Sequence, residues 1–333
     1  MSAVLFVLLL SWLSLTAYAL LAGADFGAGT WDLLAGSARG GRARRGLIEH
    51  VIGPVWEANH VWLIFVLVLL WTSFPPAFSA IASTLWVPLT LAALGIIGRG
   101  SAFAFRKTVT ATWQQAAFGA TFALSSVATP FFLGTAAGAI GAGRVPPGLA
   151  AGDTLRSWTS PVALLTGALA VAACSFLAAT YLCGDAERAG SPAEVGWFRL
   201  RALASGAVAG ALAIAGLFVT HADARALFDG LAGRGLPLIA VSASAGVGAL
   251  ALVALRRYLL ARVAAGLAVG AVVWGWGVAQ YPHLLPGLDA RQAAAVPTTL
   301  HAVVITSIIG VAVLVPSLVA LLRLFQRPER PTA

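Results

Sequence analysis

Apolar and polar residues do not alternate along this chain. Apolar residues run in long stretches near 2–24, 51–73, 77–98, 112–134, 158–183, 200–220, 236–255, 262–281 and 298–322. A helix needs about 20 such residues to cross a hydrocarbon core about 30 Å thick. Each stretch is too long for a strand, and the period-two pattern of a barrel strand is missing. In lipid only helices and closed barrels satisfy every backbone N–H and C=O, so the stretches predict helices. The expected architecture is all-α, with about nine transmembrane helices in a single polytopic domain over residues 1–333.

Composition agrees with that pattern. The chain is 59% hydrophobic and 10% charged, against about 25% charged in soluble domains, and its mean hydropathy is +0.90. No long polar stretch remains for a separate soluble domain. The net charge of +9 does not point to nucleic acid, because the arginines sit beside spans and not on one continuous face. Their distribution instead sets orientation, since basic residues collect in cytoplasmic connections. Arg39, Arg42, Arg44, Arg45, Arg99, Arg106, Lys107, Arg188, Arg199, Arg201, Arg256, Arg257, Arg262, Arg323, Arg327 and Arg330 share one side. Only Arg144, Arg156, Arg225, Arg234 and Arg291 fall on the other. The N-terminus is therefore expected outside and the C-terminus in the cytoplasm. Ala17-Tyr18-Ala19 mimics a leader cleavage site, but no Lys or Arg precedes the apolar run, so residues 2–24 are expected to remain as a first span. Cys174 and Cys183 match neither a CxxC nor a zinc spacing and read as packing residues.

Ionisable residues at membrane depth are costly and therefore candidates for function. Asp25 ends the first span inside Gly23-Ala24-Asp25-Phe26-Gly27-Ala28-Gly29. Glu57 lies in the second span inside Gly53-Pro54-Val55-Trp56-Glu57-Ala58-Asn59-His60-Val61-Trp62. Glu57 and His60 are three positions apart and share a helix face, with Asn59 and Trp56 beside them. A carboxylate and an imidazole entered from the cytoplasm suit a proton relay; a structural hydrogen-bond network between helices is the competing reading. Arg99 and Arg106 close the third span, either as cytoplasmic anchors or as partners of Asp25 or Glu57. Tyr281-Pro282-His283 ends the eighth span as an interfacial aromatic and a helix stop. The histidines are His50, His60, His221, His283 and His301. There is no CxxCH, and His60 has no evident second histidine at its depth, so haem or metal ligation by this chain is not expected.

Taken together these motifs resemble subunit II of cytochrome bd-type quinol oxidases. The likeness rests on Gly23–Gly29, on Gly53–Leu63, on Phe74-Pro75, on Arg99-Gly100-Ser101-Ala102-Phe103-Ala104-Phe105-Arg106 and on Gln280-Tyr281-Pro282, in that family's order. It implies two four-helix bundles plus a peripheral helix. It also implies a heterodimer in the bacterial cytoplasmic membrane that oxidises quinol, reduces dioxygen to water and generates a proton-motive force. Two haems b and one haem d would then sit in the partner, subunit I, together with the quinol-oxidising loop, and no catalytic residue in this chain. Quinol, lipids, a structural quinone and a small third subunit are the further partners the likeness allows. It also implies a proton-route role for the carboxylate at Glu57, where Asp is more frequent in the family. Ala104 stands where an acidic residue is common, which removes a carboxylate from the third span. A stand-alone secondary transporter is the alternative, but it would place its charges near the midplane at broken helices, and no inverted repeat is evident.

Overall fold

The computed structural model describes residues 2–36, 40–52, 56–106, 108, 109 and 111–325; the side chains at 52, 56–58, 112, 314, 315, 318, 319 and 321–325 lie outside that description. Long helices dominate, in keeping with the unbroken apolar stretches. They are α1 (Ala3–Leu33), α2 (Arg42–Ile52), α3 (Trp56–Ser73), α4 (Pro75–Thr84), α5 (Trp86–Arg106) and α6 (Thr112–Gly141). After them come α7 (Pro161–Arg188), α8 (Pro192–Asp223), α9 (Arg225–Ala232), α10 (Leu236–Ala254), α11 (Tyr258–Gln280) and α12 (Pro297–Phe325). Between α11 and α12 a small antiparallel hairpin pairs β1 (His283–Leu285) with β2 (Leu288–Asp289), the one departure from all-α among the described residues.

Among the described residues, seven helices are long and apolar enough to cross a membrane, or eight if the bent pair α3–α4 counts as one span. The chain is a multi-pass membrane protein. Two groups of helices pack side by side. In one, α1 packs on α3 and α6, and α6 on α5; in the other, α7 packs on α8 and α11, and α10 on α8 and α11. The contacts of α1 and α6 with α7 join the groups, and α12 lies against α1 and α3.

One expected span is corrected. The apolar stretch at 77–98 is not one helix, because the chain breaks at Leu85 between α4 and α5. Pro75 and Pro76 open α4, which turns 120° from α3, and Pro88 near the start of α5 gives no N–H to a preceding turn. Composition stays apolar through this break, so hydropathy alone does not mark it.

Several helices also extend beyond their apolar stretches. α1 continues to Leu33, α5 to Arg106 and α7 to Arg188. The connecting segments at the other end are held by polar contacts. Arg144 pairs with Asp223 at 2.5 Å. In the loop before α7, the Asp153 carboxylate accepts the N–H groups of Leu155 and Arg156 at 2.8 and 2.7 Å, and these bonds hold it below the usual carboxylate range.

Candidate functional site: a buried charge ladder on the first helix

The glycines around Asp25 allow neighbouring helices to come close. A Cβ on Gly27 would lie 1.9 Å from the Cys174 carbonyl oxygen of α7, and one on Gly29 would lie 2.1 Å from the Ser126 hydroxyl of α6. Both neighbours can approach only because these positions carry no side chain. The approach buries α1 over residues 25–29 and again at Trp31 and Asp32, with Asp25 at 5% exposure.

A carboxylate buried in this way needs a partner, and α5 supplies Arg99. The Arg99 side chain is 2% exposed; its guanidinium donates to both Asp25 carboxylate oxygens, at 3.1 and 3.3 Å, and to the Asp25 carbonyl at 3.0 Å. Its Nε donates to the Ser126 hydroxyl at 3.0 Å, which itself donates to the Phe122 carbonyl. The rings of Phe26 and Phe122 lie 5.1 and 4.9 Å from the guanidinium carbon. Arg99 is thus a paired interior cation and not an anchor at the water interface.

Seven residues further along both helices the pairing repeats. Arg106 donates to Asp32 at 3.1 Å and reaches Glu49 of α2 at 3.5 Å, while Arg45 lies 3.8 Å from Asp32. Asp32 is 4% exposed. A seven-residue step is nearly two helical turns, about 10.5 Å. Because Asp25 faces Arg99 and Asp32 faces Arg106, α1 and α5 run parallel. This agrees with two spans that cross in the same direction. On the flank, Arg44 pairs with Glu194 at 2.8 Å and sits 4.8 Å over the Trp197 ring. Much of the arginine-rich end is therefore a knit of ion pairs. Asp32 and Glu49 are functional candidates that the sequence reading missed, because the first span seemed to end at residue 24. The signal was present: Asp25 and Asp32 repeat at the same interval as Arg99 and Arg106.

The second-helix candidates fall beside this ladder. His60 is half-buried on α3, edge-on to Phe26 at 5.9 Å and to Tyr18 at 6.2 Å between ring centroids. Phe26 thus meets both His60 and the Arg99 guanidinium. Asn59 is buried at 6% exposure. Glu57 and Trp56 belong to the first turn of α3, and their side chains lie outside the described ones. The structure therefore gathers Asp25, Arg99, His60 and Asn59 on α1, α3 and α5, with Arg106 one step along. Tyr18 adds a buried hydroxyl with no hydrogen-bond partner among the described residues.

The residues of this chain do not fit a haem held by two histidines. His60 is hemmed by Tyr18 and Phe26, and His50, His221, His283 and His301 are exposed, with His221 against Phe228 at 4.7 Å. Cys174 and Cys183 are free, with Cys183 fully buried, as packing residues would be.

The profile of the family described as cytochrome bd terminal oxidase subunit II matches residues 2–325. The chain belongs to that family. Cytochrome bd ubiquinol oxidase subunit 2 of Bacillus subtilis (strain 168) is 31% identical over 119 residues, a stretch that covers 34% of this chain and 33% of that protein. The chain thus matches about a third of the length of that curated relative. The solved bd oxidase from Geobacillus thermodenitrificans shares the fold of this bd subunit II family member. The TM-score is 0.76 at 24% identity, over 98% of this chain and 99% of that one. None of these likenesses supports a stand-alone transporter.

Proposed function

We propose that this chain is the non-haem-ligating subunit of a bd-type respiratory oxidase in the bacterial cytoplasmic membrane. With a haem-bearing subunit I it oxidises quinol, reduces dioxygen to water and contributes to a proton-motive force. Membership of the subunit II family over residues 2–325 carries this reading. The haems, when bound in the partner, supply the electron transfer and oxygen chemistry; this chain supplies packing and a polar entrance.

The proton route is assigned to the face where α1, α3 and α5 meet. Asp25, Asn59 and His60 belong to it and Arg99 and Arg106 support it, with Glu57 and Trp56 assigned to the route by their place in the first turn of α3. Arg99 neutralises Asp25, which lets a carboxylate stay at depth without an uncompensated charge. Glu57 stands one helical turn before His60, at the end of α3 that follows the arginine-bearing α2. A proton entering there meets a titratable carboxylate first and an imidazole next.

The test uses the complex purified with its large partner. Glu57→Ala is expected to lower quinol-driven oxygen consumption at least tenfold while the haem absorption spectrum survives, and Glu57→Asp to keep most of it. Turnover unchanged by Glu57→Ala from acid to alkaline pH would remove the relay. Absence of any haem-bearing chain from the purified complex would remove the oxidase reading itself.

A further inference from the structure

Away from the charge ladder, α1, α7, α10 and α11 enclose an open groove of ≈ 650 Å³. Its walls are almost wholly apolar, and small residues of α11, Gly266 and Gly270, keep it open. Tyr181 and Leu20 line the part near Arg262, and Trp274 lines the far part. The single charged side chain in the lining is Arg262, one turn into α11.

Arg262 is the unusual member of this wall. Its guanidinium carbon lies 4.2 Å over the Tyr181 ring, and among the described residues it makes no ion pair. Asp185 feels its field, but that carboxylate is paired with Arg188. Arg256 and Arg257 immediately precede the end of α11 that carries Arg262. A half-buried cation at the mouth of an apolar groove matches a ligand with an anionic head and a hydrocarbon tail. Length agrees as well. From Arg262 to Trp274 the helix rises about 18 Å at about 1.5 Å per residue. One leaflet of an apolar core about 30 Å thick is about 15 Å deep.

We infer that this groove is a binding site for one anionic phospholipid. Its phosphate pairs with Arg262, and an acyl chain lies along Gly266 and Gly270 toward Trp274. An acyl chain fits a groove lined by glycine, aliphatic and aromatic side chains, and the cation selects the head group. A juxtamembrane basic residue near an anionic lipid surface contributes about 1 kcal/mol, which is about fivefold in occupancy.

Native mass spectrometry of the complex purified in nanodiscs tests the assignment, with phosphatidylglycerol and phosphatidylcholine mixed equally as probes. The wild-type complex is expected to retain one more phosphatidylglycerol than Arg262→Gln, whose occupancy falls about fivefold. Gly270→Leu, which fills the groove and leaves the charge, is expected to release the same lipid. The intact mass in the same spectrum shows that each variant has assembled. Equal retention of phosphatidylglycerol in all three proteins overturns the site. So does a lipid lost from Gly270→Leu that is phosphatidylcholine, or a released molecule that is a quinone.

Discussion

Arg99 and Asp25 illustrate what one buried charge demands of its neighbour. Both side chains are almost fully enclosed, at 2% and 3% exposure. The pair need not stabilise the fold relative to an apolar pair, because both ions lost their water to form it. Breaking it from one side is different. Arg99→Met strands the Asp25 carboxylate and is expected to cost about 3–5 kcal/mol, whereas Arg99→Met with Asp25→Leu recovers most of that loss. A double-mutant cycle on thermal unfolding in detergent reads the coupling directly. Independent effects of the two substitutions would show that the ion pair is incidental. Arg106→Met is expected to cost less, since the Arg106 side chain is 19% exposed and Arg45 remains 3.8 Å from Asp32. At this scale the sequence was partly legible. A carboxylate in an apolar run and an arginine at the end of another announce a pair, and Asp25 with Arg99 was one of the pairings open to them. Asp32 and Glu49 were hidden because hydropathy reports where lipid ends, and α1 continues beyond that point on contacts with α6 and α7.

At the scale of elements, the close approach of α1 to α7 depends on Gly27. Its missing Cβ leaves room for the Cys174 carbonyl, so any side chain must force the two helices apart. Gly27→Val is expected to destabilise by at least about 1–3 kcal/mol, the range for overpacked cores. Gly196 on α8 has nothing within 4 Å of a built Cβ, so Gly196→Ala is expected to be neutral or stabilising by up to about 1 kcal/mol. Midpoints of thermal unfolding for the two variants should move in opposite directions or by very different amounts. A Gly27→Val protein as stable as the parent would contradict the packing described for α1. Glycine content alone showed that helices could pack closely, but not which glycine meets which helix. The 120° turn between α3 and α4 was likewise unreadable from hydropathy, since both sides of it are apolar. Its written signals were Pro75, Pro76 and Pro88, residues that interrupt backbone hydrogen bonding without changing the apolar character of the stretch.

For the whole molecule, the question is which face meets the cytoplasm. The basic residues cluster in alternate connections, and a multi-span protein inserts with those connections inside. The parallel register of α1 and α5 makes this more than a count. Both helices end among arginines, at Arg106 for α5 and near Arg44 and Arg45 after α1, so the two ion-pair steps descend toward one membrane face. We propose that this face is the cytoplasmic one, where the proposed proton entrance needs it. Single cysteines introduced into exposed turns at opposite ends decide the matter. Ala189→Cys lies in the turn between α7 and α8, and Ala151→Cys in the loop between α6 and α7. The native thiols should stay silent, because Cys183 is fully buried and Cys174 lies against the α1 backbone at Gly23. In intact cells a membrane-impermeant maleimide is expected to label Ala151→Cys, and Ala189→Cys only after permeabilisation. The reverse pattern would place the charge ladder on the outer face. It could not then admit protons from the cytoplasm, although the pairing of Asp25 with Arg99 and of Asp32 with Arg106 would stand unchanged.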